Sequence, residues 1–131
     1  MNRDLRLVIL EDNADDIELL LWTLRDAGFQ VTADVASNRQ EFLDLVRAHR
    51  YDVVLSDYRM PHVTGYELYQ AMRAEGFQIP FILVTGALPN EAEKGAEFLE
   101  QGIAECILKD RLEGLPQAVQ RAIEARHRNR P

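Results

Sequence analysis

Polar residues break an otherwise apolar pattern at the ends of several strand-length runs: Glu11 and Asp12, Asp57, Thr85 and Lys109. As a set they are chemically coherent. Carboxylates brought within a few ångströms of one another repel, and that costs free energy unless a cation or protons intervene. Oxygen donors without His or Cys suit Mg²⁺, which keeps several waters and takes one or two carboxylates plus phosphate oxygens. A lysine beside them can pair with Asp57 or with a phosphate oxygen, and a threonine hydroxyl can donate to another oxygen. These are the parts needed for phosphoryl transfer to a carboxylate: a nucleophile, a metal, and donors for the equatorial oxygens. Singly, each residue has a plainer reading. Glu11-Asp12 suits the start of any helix, Asp57 could cap a turn, Thr85 could be a turn residue and Lys109 a solvated charge. Their common position at strand ends decides against those readings.

The elements that must position them follow from periodicity. Leu5 to Leu10 is a strand-length apolar run, and Ile17, Leu20, Leu21 and Leu24 then mark one face of a helix. Gly28 stops that helix. Phe29 to Val35 reads as a second strand. Ser37 with Gln40, or Asn38 with Glu41, resembles a capping box ahead of the stripe Phe42, Leu45 and Val46. The Val-Val-Leu centre of Asp52 to Asp57 suggests a strand buried on both faces of a parallel sheet. Met60-Pro61 and Gly65 mark a loop. Leu68, Ala71 and Met72 give a third helix that ends near Gly76, and Pro80 to Val84 is a fourth strand. Pro89-Asn90 starts a fourth helix, with Asn90 and Glu93 as a capping pair. Gly95 inside it weakens it by ~1 kcal/mol relative to Ala, which makes it the least stable helix expected. Glu105 to Leu108 is the fifth strand. Pro116 suits the first turn of a last helix with the stripe Leu115, Ala118, Val119 and Ala122. This alternation predicts an α/β domain, a five-stranded parallel sheet doubly wound by right-handed crossovers with helices on both faces. The carboxyl ends of such strands share one edge, where ligands bind.

The 131 residues fit one domain, with 47% hydrophobic and 28% charged residues. A net charge of −7 argues against broad, nonspecific nucleic-acid binding, which relies on Lys and Arg. The lone Cys106 excludes an intramolecular disulfide and a Cys-rich metal site. No apolar run approaches a membrane span and the first residues do not read as a secretory signal, so a cytoplasmic protein is expected. His49, His62 and His127 have no metal-ligand spacing, His62 reads as exposed, and Trp22 falls off the first helix's stripe as a partly exposed residue. Cys106 reads as a small, inert core residue.

The segments Ile9-Leu10-Glu11-Asp12-Asn13, Val54-Leu55-Ser56-Asp57-Tyr58-Arg59-Met60-Pro61, Leu83-Val84-Thr85-Gly86-Ala87 and Ile107-Leu108-Lys109 resemble, in order, the signature blocks of two-component response-regulator receiver domains. The resemblance runs from about Leu5 to Ala125. It implies a flavodoxin-like (βα)₅ fold of strand order 2-1-3-4-5 over 1–125, with 126–131 as a basic tail or truncated linker. It further implies Asp57 as phospho-acceptor and Asp12 as a direct Mg²⁺ ligand. Glu11 would act through water and the backbone carbonyl of Arg59 would be a further ligand. Thr85 would bind the phosphoryl oxygen and Lys109 would pair with it. The donor would be a phosphohistidine on a sensor histidine kinase or histidine phosphotransfer protein. The output would go to a downstream protein partner or effector domain, from a monomer or weak dimer. Nothing beyond its own phosphorylation and slow dephosphorylation would be catalysed.

Two positions depart from the family's pattern. Cys106 stands where an aromatic residue commonly reports threonine movement, so output through another surface is expected. Asp110 stands where proline is common, and a non-proline cis bond costs ~3 kcal/mol, so a trans Lys109–Asp110 bond is expected. The Leu108-Lys109-Asp110 ending is similar to receivers found within larger sensory proteins. Two other functions compete. One is a phosphorylation-independent protein-interaction module on the same fold, motivated by Cys106 and Asp110. The other is a small Mg²⁺-dependent phosphohydrolase, against which stand the missing cap domain and second catalytic acid.

Overall fold

The computed structural model describes residues 3–86 and 91–128, with the side chains of 91–94 and 128 left aside. The first apolar run forms β1 (Asp4–Leu10), followed by α1 (Ala14–Asp26), β2 (Gln30–Ala36), α2 (Arg39–Ala48) and β3 (Val53–Ser56). A short hairpin comes next, β4 (Arg59–Met60) and β5 (Val63–Thr64), leading into α3 (Gly65–Ala74). The remainder is β6 (Phe81–Thr85), α4 (Glu91–Glu100), β7 (Glu105–Leu108), a 3₁₀ turn over Lys109–Gly114, and α5 (Leu115–Arg128). The main sheet is parallel in the order β2-β1-β3-β6-β7, which is the expected 2-1-3-4-5 arrangement once the hairpin strands are set aside.

Alternation along the strands feeds two cores. Leu7 and Ile9 of β1 point to the face covered by α1 and α5, where Leu20, Leu24, Leu115, Ala118 and Val119 are buried. Val8 and Leu10 point to the other face, against Phe42, Val46, Leu68 and Met72 from α2 and α3. Both faces of β1 and β3 are covered, which is why these strands read as continuous apolar runs.

Register decides which residues leave the sheet together. Leu10 pairs with Ser56, so Glu11 and Asp57 follow side by side, and the Asp57 amide donates to Leu10 O at 2.9 Å. Thr85 pairs with Leu108, so Lys109 emerges next to the end of β6. The helices are fixed by local caps. The Asn13 side chain accepts from the Asp16 amide at the start of α1, and Gly28 at φ +101 allows the chain to reverse after it. Asn38 is the cap of α2, while Glu41 accepts instead from the amide and hydroxyl of Ser37. Thr64 and Glu67 form a full capping box on α3. The Asn90–Glu93 pair, Ala87 and the last three residues lie outside the described residues.

The segment after Asp57 is a hairpin rather than an open loop. Pro61 fixes φ at the turn and His62 takes φ +67, a pairing that matches a type II turn, with His62 exposed as expected. Helix α5 continues through Arg128, so the start of the basic tail is helical, and Arg126 Nη1 donates to Tyr51 O at 2.8 Å. Among the described residues no peptide bond is cis, so the Lys109–Asp110 bond is trans. Trp22 lies on the outer face of α1, 63% exposed.

Gly65 is where α3 comes closest to the site. A Cβ there would be driven into the Asp57 carbonyl oxygen and would lie 2.7 Å from Ser56 Oγ and 2.9 Å from Leu83 Cδ2. A Cβ at Gly95 in α4 would meet nothing within 4 Å among the described residues. Gly65→Ala should therefore lower stability by about 1–3 kcal/mol, whereas Gly95→Ala should raise it by up to ~1 kcal/mol. Urea denaturation of both variants checks the pair, and a neutral Gly65→Ala would refute the close-approach argument.

Candidate phospho-acceptor crevice

The carboxyl edge of the sheet gathers an ion cluster around one ammonium. Lys109 Nζ donates to Asp16 Oδ2 at 2.7 Å, to Glu11 Oε2 at 2.9 Å and to Asp57 Oδ2 at 3.1 Å. Three N–H bonds use all the donors of a lysine. The side chains become more exposed outward: Glu11 is 2% exposed, Asp57 12%, Lys109 22% and Asp16 34%. Glu11 thus forms the floor and Asp57 the wall. The second oxygen of Glu11 accepts from the amides of Asp12 at 3.1 Å and Asn13 at 3.3 Å.

These neighbours set the protonation behaviour. Burial raises the Glu11 pKa above its ordinary 4.5, the Lys109 hydrogen bond opposes that, and the charge of Asp57 adds to the rise. For Lys109 burial acts against the charged form, but the bonds to Asp16, Glu11 and Asp57 outweigh it and the pKa is raised. The ammonium is therefore a fixed cation at neutral pH. Three carboxylates around one ammonium still leave a formal excess of negative charge in the crevice.

Asp57 has two unlike oxygens. Oδ2 is held by Lys109, while among the described residues Oδ1 accepts only from the Arg59 amide, at a long 3.4 Å. Arg59, on β4, is exposed, and its peptide lies over the carboxylate. Behind Asp57, the buried Ser56 hydroxyl donates to the Asp57 carbonyl at 2.8 Å. Thr85 is buried at the end of β6. Asp12 is exposed at the start of the α1 loop, and among the described residues its carboxylate makes no hydrogen bond. The structure thus brings Glu11, Asp57 and Lys109 together, with Thr85 at the adjacent strand end and Asp12 at the rim.

Asp16 is the cluster member that the sequence reading passed over. It lies in the first turn of α1, three residues after the Asn13 cap, whose side chain accepts from its amide. Cys106, half-buried in β7, packs against the core that includes Phe98. Burial, and secondarily the charge of Glu105, pushes its thiol up to about 11, so it is protonated and unreactive at neutral pH. Close to Asp57, the Tyr58 ring lies 5.5 Å from that of Phe98 in α4, and Phe98 lies 5.0 Å from Tyr66 in α3.

Among the described residues no three His, Cys, Asp or Glu side chains are close enough together to hold a metal ion on their own. The donor chemistry nonetheless suits Mg²⁺, which needs only one or two carboxylates when water and phosphate oxygens complete its shell. Glu11 and Asp57 offer oxygen donors in a crevice with surplus negative charge. Among the described residues no helix is long and apolar enough to cross a membrane.

Comparison with known proteins agrees with this geometry. The family model for the response regulator receiver domain matches residues 7–120. The sensor histidine kinase RcsC of Escherichia coli is 32% identical over 109 residues, covering 82% of this chain and 11% of that protein. A response regulator receiver protein of Anaeromyxobacter is 36% identical over 91 residues, 70% of this chain and 37% of the relative. The chain therefore spans about a tenth of the sensor kinase and little more than a third of the second relative. The receiver domain of a Francisella response regulator shares the fold with a TM-score of 0.79 at 20% identity, covering 93% of this chain and 98% of that one. A sensor protein from Polaromonas does so with a TM-score of 0.77 at 24% identity, covering 92% and 96%. A family match of this extent, on a fold shared nearly end to end with solved receivers, makes the chain a member of the response regulator receiver domains of two-component systems.

Proposed function

We propose that Asp57 accepts a phosphoryl group from a phosphohistidine on a sensor histidine kinase or histidine phosphotransfer protein, and that the added charge switches a partner-binding surface. The observation that carries this reading is the convergence of Asp57, Glu11 and Lys109 in one partly open crevice. Oδ1 of Asp57, held among the described residues only by the long Arg59 contact, is the oxygen that attacks phosphorus. The P–N bond to the imidazole breaks and its electron pair stays on that nitrogen. Lys109 then pairs with an oxygen of the bound phosphoryl group, and the Thr85 hydroxyl donates to another. Glu11, Asp12, Asp57 and the Arg59 backbone carbonyl would hold Mg²⁺, which supplies positive charge against the repulsion between carboxylate and phosphate.

Phosphorylation adds roughly two negative charges at Asp57. The segment after β6 and α4 then repacks, and a downstream protein or effector domain reads the changed surface. The domain turns over no external substrate, and it works in the cytoplasm. Family membership weighs against the reading as a phosphorylation-independent module.

Acetyl phosphate with Mg²⁺ should add the mass of one phosphoryl group to the wild-type chain and none to Asp57→Asn. Intact-mass spectrometry decides, and a wild type that gains no mass, or a variant that still does, would overturn the assignment.

Removing the ammonium tests the cluster itself. In Lys109→Met the buried Glu11 faces Asp57 uncompensated, at a cost of about 1–3 kcal/mol near neutral pH. A carboxyl whose folded-state pKa is above its unfolded value binds its proton more tightly when folded. The contribution of this group to stability is therefore greatest below the ordinary 4.5 and falls as pH rises through the raised value. The variant should trail wild type more at about pH 8 than at about pH 5. Equal deficits in urea midpoint at both pH values would count against a charge-based origin.

A further inference from the structure

The amino edge of the sheet, opposite the Asp57 crevice, carries a cavity that phosphoryl chemistry does not use. It has a volume of about 390 Å³ between the ends of α3 and α5, beneath the starts of β6 and β7. Its size lies in the range of small-ligand sites. The small residues Ala104, Ala122 and Ala125 leave the space open, and Ile79 and Pro80 supply apolar wall. Arg73 and Arg126 enter from different helices, and among the described residues no Asp or Glu lines the cavity. The chain as a whole has 22 acidic residues against 15 Lys and Arg, so an acid-free recess with two guanidinium groups runs against its composition.

Arg73 is held ready. Tyr69 is 4% exposed, and its hydroxyl donates its only proton to Gln101 O at 3.0 Å. Toward Arg73 that oxygen can only accept, and Nη1 donates to it at 3.2 Å. Among the described residues no carboxylate pairs with Arg73, and its other N–H groups are not engaged. Arg126 is anchored by Nη1 to Tyr51 O, which fixes its guanidinium at the cavity wall. Planar guanidinium groups recognise phosphate and carboxylate through paired hydrogen bonds.

We infer that this cavity binds a small oxyanion joined to a flat apolar body, a class that includes nucleoside monophosphates and aromatic carboxylates. The anion meets Arg73, whose free N–H groups face the recess, and the apolar body lies on the alanine floor between it and Arg126. The site is independent of Asp57, so the two assignments stand or fall separately.

The test is an NMR titration of the ¹⁵N-labelled full chain with AMP, benzoate, adenosine and inorganic phosphate, each to about 10 mM. AMP or benzoate should shift the Gly102, Ala104 and Ala122 amides saturably, while adenosine and inorganic phosphate bind roughly tenfold more weakly. Tighter binding of AMP identifies a phosphate ester as the anion, and tighter binding of benzoate a carboxylate. Arg73→Gln, at an exposed position, should weaken binding roughly tenfold or more, and Ala125→Leu should block it by filling the floor. Asp57→Asn should bind like wild type. No saturable shift with either anion, undiminished binding by Arg73→Gln, or inorganic phosphate binding as tightly as AMP would overturn the inference.

Discussion

The ammonium of Lys109 is what allows Glu11, Asp16 and Asp57 to share one crevice. Without it, a nearly buried carboxylate would sit beside a second one with only water and two amide groups to compensate. With it, elements far apart in sequence are tied at one point: the end of β1, the first turn of α1, the end of β3 and the end of β7. The interaction is more than a surface ion pair, because Glu11 is buried and all three ammonium protons are engaged. It is also provisional, since a lysine that serves three acceptors can be drawn toward a stronger anion when one arrives.

That cluster depends in turn on strand register. A slip of one residue between β1 and β3 would separate Glu11 from Asp57 and turn the apolar side chains of β3 to the opposite cores. The two cores lock the register, because β1 and β3 bury side chains on both faces and no polar side remains to tolerate a shift. Packing remote from the crevice thus fixes the carboxylate spacing within it.

Much of this arrangement was legible in the sequence. The stripes Leu20–Leu24 and Leu115–Ala118–Val119 and the buried centre of β3 stated their elements through period alone. The strand-end residues could be placed on one edge because a parallel sheet has only one carboxyl edge. Other features were harder to read. Whether Asp12 or Asp16 meets Lys109 depends on how α1 sits on the sheet, which periodicity does not specify. Thr64 with Glu67 carried a capping signal as plain as that of Asn38 with Glu41, yet a loop reading of the flanking Met60-Pro61 and Gly65 obscured it. The amino-edge cavity arises from small residues on separate elements and has no linear signature.

The contact at Gly65 has a mechanical consequence. The helix start sits hard against the Asp57 carbonyl, its amide bonded to Tyr58 O at 2.7 Å and its first turn closed by the Thr64–Glu67 box. On that flank Asp57 lies against a helix start that has no room for a Cβ. On the far flank, a Cβ at Gly86 would meet nothing within 4 Å among the described residues. The backbone that carries Asp57 therefore leaves no room for a methyl group toward α3, while among the described residues the turn after β6 leaves room for one.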